Sequence, residues 1–366
     1  MKKLVCSLCY VVFLTICSIH SAVPNTAVWE LLTEAEILFE SGEFGKALTE
    51  AERARTFHQD LINGYSRLLS DALIPREVKK AGTEIGPVRD VLLKRNEIEA
   101  VGIVDMLIDL KGKDFFKNSI PLMLTWLSDR SVLPEADILC GMIYEAEGEY
   151  RMASSYFLSA WKHRAFLDVP SRRFEILYRL ADMSHVQGEE GRREEYLLLV
   201  LAEDAVYSPS QGGQTSLRAM INTLESNQDT EKFFSLYRHN QQVSLKAARD
   251  LTDFYYSSSG RLDRALQTAT LASIISLTLL DNALRQKDFE YTWAGFTDMM
   301  KRIGKTPSIM QWAQEEDIWQ SFLLLALIVG DRGKHALSES ILMDLASSCP
   351  DPVIVTKARS RLNTIP

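Results

Sequence analysis

A single glycine at position 148, set between two runs of apolar residues at helical spacing, does most to restrict what this chain can fold into. From Glu135 to Ala146 apolar residues recur at Ile138, Leu139, Met142 and Ile143, the period of one helix face. Gly148 breaks the run where a helix C-terminus wants a residue tolerant of positive φ. The period then resumes from Tyr150 to Trp161, and a turn of about three residues forces the two helices antiparallel. Gly141, Gly148, Ala153 and Ala160 follow one another at intervals of 7, 5 and 7 residues. With little or no side chain at Gly141 and Ala153, the spacing predicts close approach of the two backbones. Tyr144, Tyr150 and Phe157 fill the remaining volume.

The same offsets recur along the chain. "LLTEAEILFESGEFGKALTEAERA" (31–54) places Ala35, Leu38, Gly42, Phe44, Ala47 and Ala54 on this grid. "LTDFYYSSSGRLDRALQTATLA" (251–272) gives Tyr256, Gly260, Leu262, Ala265 and Ala272, with Asp253 at the first small position. "LLLALIVGDRGKHALSESILM" (323–343) gives Leu324, Leu327, Ala336 and Met343, its turn glycines displaced by one or two residues. Residues 180–205 keep Ala181 and Gly188, then depart in the second helix. The alanines Ala47, Ala153, Ala265 and Ala336 are 106, 112 and 71 residues apart, so the register is irregular. The stretches between them still read as amphipathic helices. Leu, Ala, Glu and Arg are abundant and favour helix, while strand-type alternation is scarce.

This grid resembles the tetratricopeptide repeat (TPR), a helix–turn–helix unit of about 34 residues. Gly141, Gly148, Tyr150, Ala153, Phe157 and Ala160 match that family's diagnostic positions. Two features depart from it: Asp137 stands where an early tryptophan is frequent, and the closing proline is displaced to Pro170. The resemblance implies an all-α fold, an α-solenoid of antiparallel hairpins over 23–366, with the clearest repeats at 28–61, 134–167, 246–279 and 317–350. Packing between paired helices falls to Ala35, Gly42, Ala47, Gly141, Gly148, Tyr150, Ala153, Ala160, Gly260, Ala265 and Ala336. The competing organisation is two helical domains joined by a linker, at 74–87 or 207–214, where Pro, Gly and Ser cluster.

The N-terminus has its own pattern. Met1-Lys2-Lys3 is basic, Leu4 to Ile19 carries no charge, and small residues follow at Ser21 and Ala22. This is the order of a secretory signal peptide over 1–22, released before Val23. His20 and Ile16 are both larger than the usual residues at their positions. An uncleaved anchor, or lipidation at Cys17, is therefore carried forward as an alternative, and either would associate the protein with an envelope membrane. The mature chain would keep only Cys140 and Cys349, read as two buried thiols.

The formal charge is −8, and loss of Lys2 and Lys3 takes it to −10. That balance argues against a nucleic-acid partner, which needs Lys and Arg to neutralise phosphates. No serine-hydrolase, zinc-protease or phosphate-loop motif occurs; in "GDRGKH" (330–335) the glycines are too close for a phosphate loop. Histidines are scattered singly, and neither a metal nor a cofactor is expected. What a repeat array offers is surface. The expected function is a non-enzymatic scaffold or adaptor that binds a protein or peptide in a concave groove in the periplasm or cell envelope. By family resemblance the inward positions are Leu32, Glu36 and Phe39, then Ile138, Met142 and Glu145, then Asp250, Phe254 and Ser257. Leu32, Ile138 and Phe254 equally suit core contacts. The aromatic groups Phe254-Tyr255-Tyr256 and Phe233-Phe234 exceed what one helix stripe buries, so some are expected to face the groove. The alternative function is a solute- or lipid-binding component with an enclosed apolar pore.

Overall fold

Each clear sequence repeat is a helix pair in the computed structural model, which describes residues 26–208, 213–227, 230–257 and 261–364. The segment 1–22, Cys17 within it, and Gly260 lie outside the described residues. The fold is all-α: among the described residues there is no strand, only one isolated antiparallel bridge between Glu84 and Ser119. The chain divides into two compact units, Met1–Gln187 and Gly188–Pro366.

In the first unit, α1 (Thr26–Glu40) and α2 (Phe44–Ala72) form a hairpin, followed by the short α3 (Arg76–Lys80). A second hairpin pairs α4 (Ile85–Lys94) with α5 (Ile98–Lys111), and α6 (Ile120–Asp129) follows. The third joins α7 (Pro134–Ala146) to α8 (Tyr150–Lys162), after which a 3-10 turn (Arg164–Phe166) leads to α9 (Arg172–Val186). Two apolar cores share the 29-residue helix α2. Its first half sets Ala47, Ala51 and Ala54 against Leu133, Ala136, Leu139 and Cys140. Its second half sets Ile62 and Leu69 against Val88, Val104 and Leu127. That helix overruns the repeat end expected at residue 61.

One turn closes all three hairpins. Gly148 has φ +79° and Glu149 has φ −84°, ψ 61°. The Glu149 and Gly148 amides donate to the carbonyls of Tyr144 and Glu145, at 2.8 and 3.0 Å, the paired bonds of a Schellman cap. Gly42 and Glu43 repeat it, their amides donating to Phe39 and Leu38. The α4–α5 hairpin also has it, with Asn96 at φ 60° in place of glycine, a copy missing from the sequence grid because only glycine marked it there. Asn is the residue other than glycine that best tolerates this conformation.

In the second unit, α10 (Glu190–Leu201), α11 (Gly213–Asn227) and α12 (Thr230–Leu236) precede the hairpin of α13 (Val243–Ser257) with α14 (Leu262–Lys287). Then come α15 (Phe296–Gly304), α16 (Pro307–Glu315), α17 (Ile318–Asp331), α18 (His335–Ser348) and α19 (Pro352–Leu362). Helix α14 is buried on every face from Leu271 to Leu280, a stretch mostly apolar but holding Ser273, Ser276 and Thr278. Two of its interior hydroxyls find partners, Ser276 Oγ donating to Ser321 Oγ at 3.0 Å and Thr278 Oγ1 to the Ile274 carbonyl at 2.8 Å, while Thr270 Oγ1 is buried without one among the described residues.

Two sequence assignments shift here. In the α17–α18 hairpin the cap is Gly333 (φ +82°), so the small residues seven before and five after it are Ala326 and Ser338. Ser338 is buried and its Oγ donates to the Ala326 carbonyl at 2.7 Å, whereas Ala336 is exposed. The register built on Ala336 is two residues early because Gly330 competes as a turn signal; Gly330 is in fact buried in the last turn of α17. Phe233 and Phe234 face no groove: both are wholly buried, with Phe234 ring centroids 4.7 and 5.6 Å from those of Phe296 and Phe322.

A candidate binding cleft around Arg130

The apolar stripe of α2 reads Ala47, Ala51, Ala54, His58, Ile62, and the structure buries all five. A histidine on such a stripe needs a partner, and it finds one at the end of α6. His58 Nε2 lies 2.8 Å from the Arg130 carbonyl oxygen, which only accepts, so the proton sits on Nε2. Burial holds the imidazole below its ordinary pKa and therefore neutral. This bond fixes the backbone at the turn between α6 and α7.

The turn presents the Arg130 side chain to a cleft. Its guanidinium lies 5.2 Å from the Trp126 ring and 5.9 Å from Phe166, within cation–π range. No protein acceptor takes a hydrogen bond from it among the described residues, and its Nε is buried without a partner. Pro134 begins α7 at the position where a missing N–H costs nothing, and places Glu135 in the first turn. Glu135 Oε1 accepts from the Asp168 amide at 2.7 Å, which pins the chain leaving the 3-10 turn. Burial pushes the Glu135 carboxyl above its usual range. Val28, Trp29, Val132 and Leu133 complete the wall, and the cleft encloses about 30 Å³, room for one water-sized group. The cleft therefore offers a fixed fork of donors, carboxylate acceptors and an apolar rim.

The residues expected to face a partner are dispersed. Leu32 and Ile138 are buried in the core, and Phe39 is half-buried with its ring 5.7 Å from Phe44. Glu36 is exposed, Met142 half-buried, and Glu145 is ion-paired to Arg179 at 2.6 Å. In the second unit Asp250 pairs with Lys246 at 3.0 Å, Phe254 lies 5.4 Å beneath Arg261, and Ser257 is exposed. The cleft residues were missed because nothing in the sequence distinguishes Arg130 from other helix-end arginines. His58 on an alanine stripe was the one available signal.

Two other polar clusters are built for holding. Ser159 Oγ donates to Asp137 Oδ2 at 2.6 Å, while His163 Nδ1 bonds the Ser159 carbonyl at 2.8 Å. The imidazole thus misses the hydroxyl, and serine, histidine and aspartate do not form a nucleophile–base relay. In the second unit His239 Nε2 donates to both oxygens of buried Asp204 at 2.9 Å. No group of three His, Cys, Asp or Glu suited to a metal ion occurs among the described residues, and no described helix is long and apolar enough to cross a membrane.

No family model matches the chain. Over 322 residues it is 35% identical to an "Uncharacterized protein" of Treponema pallidum (strain Nichols), a match covering 88% of this chain and 86% of that one.

Proposed function

The chain belongs to the family of that Treponema pallidum protein, and on that premise we propose that the family's role is a non-enzymatic helical scaffold or adaptor that holds a protein or peptide partner. The observation that carries this reading is Arg130, a half-buried cation that lines the cleft and whose guanidinium meets no protein acceptor among the described residues. A group desolvated to that degree without a partner is costly, and a bound acceptor relieves the cost. The repeated Schellman turns of Gly42, Asn96, Gly148 and Gly333 support a TPR-like repeat and an α-solenoid built from it. The basic start at Lys2-Lys3 and the uncharged run to Ile19 support export to the periplasm or cell envelope.

A photo-crosslinking residue in place of Val132, on the cleft wall, tests the binding role in cells. A discrete adduct that disappears with Arg130→Ala, and does not form from exposed Val353, is the expected result. Diffuse labelling insensitive to Arg130 overturns it. The mature N-terminal mass tests export: Val23 supports release of 1–22, acyl chains on Cys17 support lipidation, and an intact Met1 supports neither.

A further inference from the structure

We propose that the Arg130 cleft takes an uncharged stretch of extended peptide backbone. Its carbonyl oxygen accepts from the Arg130 guanidinium, its N–H donates to the Asp168 carboxylate, and an apolar side chain lies on Trp29 and Leu133. This deepens the partner-binding reading and rests on it.

The argument is one of matching charge and hydrogen-bond capacity. Arg130 brings a planar fork of five N–H donors, held by the Trp126 and Phe166 rings and spent on no protein acceptor among the described residues. Asp168 uses its own amide on Glu135, and its carboxylate stands exposed at the rim. A free anion on Arg130 would meet the carboxylates of Glu135 and Asp168, both of which act electrostatically on that guanidinium. A cation at Asp168 would meet Arg130. An amide escapes both repulsions, because one neutral group supplies an acceptor and a donor. The walls at Val28, Trp29 and Leu133 suit the apolar side chain that such a backbone carries. The enclosed volume of about 30 Å³ suits one carbonyl-sized group.

The full chain, labelled at arginine Nε and tryptophan Nε1, is titrated with N-acetyl-leucine methylamide, sodium acetate, sodium phosphate and butylammonium while nitrogen–proton spectra are recorded. The capped amide is expected to shift the Arg130 Nε–H and Trp29 indole signals to saturation, and the three ions to leave them in place. Arg130→Gln should weaken the amide by about tenfold, the loss attached to a charged hydrogen bond. Asp168→Ala, at an exposed position that does not threaten folding, should weaken it as well. Arg130-dependent shifts with acetate or phosphate would make the cleft an anion site, shifts with butylammonium would make it a cation site, and silence toward the amide would leave it empty. Each overturns the proposal. A Val132 adduct that survives any of these results keeps the partner-binding reading alive and removes only the backbone-amide inference.

Discussion

Phe157 occupies the space that a side chain on residue 141 would need: a Cβ built on Gly141 falls 2.8 Å from Phe157 Cε1. The absence of a side chain on α7 is thus matched to a ring on α8, and that pair fixes the separation of the two helices. Gly141→Ala should destabilise the first unit by about 1–3 kcal/mol through overpacking. Gly102, inside α5, has nothing within 4 Å of the same construction. Gly102→Ala should instead stabilise by about 0.5–1 kcal/mol, because only helix propensity changes. Denaturant unfolding of the two variants checks the contrast, and equal shifts would show that the Phe157 contact does not set the spacing.

In the hairpin of α4 and α5, Arg89 and Asp105 stand at the offsets from Asn96 that Gly141 and Phe157 hold from Gly148. There they form a bidentate ion pair, Nε to Oδ1 at 2.6 Å and Nη2 to Oδ2 at 2.8 Å. The guanidinium raises no space problem because the pair sits at the surface, with each side chain about a third exposed. Solvent screening limits its worth, and a double-mutant cycle with Arg89→Ala and Asp105→Ala should return a small favourable coupling that falls with added salt.

These two hairpins also show what was legible in the sequence. Helix pairs and small-residue contacts could be read wherever glycine marked the cap, since Gly42 and Gly148 announce a backbone that few other residues adopt. Asn96 hid the same cap, and an ion pair in place of Gly and Phe hid the crossing. Ala336 was misplaced because two glycines three residues apart offer two turns, and only packing against Ala326 chooses between them. The cleft was opaque for a different reason. Arg130, Glu135 and Asp168 are separated along the chain by 5 and 33 residues, and no periodicity links a helix end to the exit of a later hairpin.

The pair of His239 and Asp204 predicts an acid-sensitive second unit. Burial alone would raise the Asp204 carboxyl, but the hydrogen bonds from His239 and the Val206 amide outweigh it and hold the carboxyl below its ordinary value of 3.8. A carboxyl whose folded pKa is depressed contributes stability above its unfolded pKa and loses it as pH falls through the folded one. His239→Ala should therefore cost about 2–3 kcal/mol at neutral pH, since Asp204 retains its backbone donors. The gap between wild type and variant should close below a pH of about 4. Urea unfolding at neutral and acid pH measures both, and a gap independent of pH would remove the carboxylate from the explanation.

Cys140 and Cys349 are free and buried, one in each unit. Burial pushes both thiols up to about 12, with the Asp137 charge adding to the effect at Cys140 and a hydrogen bond from the Asp351 backbone opposing it at Cys349. The thiolate is the reactive form, so at mildly alkaline pH neither residue presents a nucleophile to solvent. A folded chain of residues 23–366 should leave an aromatic disulfide reagent uncleaved over the time in which an exposed thiol reacts completely, and the same chain unfolded in urea should react at both positions. Because each thiol reports opening of the unit that contains it, the Cys140→Ser and Cys349→Ser variants assign each labelling phase. Gly141→Ala should accelerate the phase from Cys140, which lies beside it in α7, and leave that from Cys349 unchanged. Acceleration at both thiols would mean that the Gly141–Phe157 contact stabilises more than the unit in which it lies.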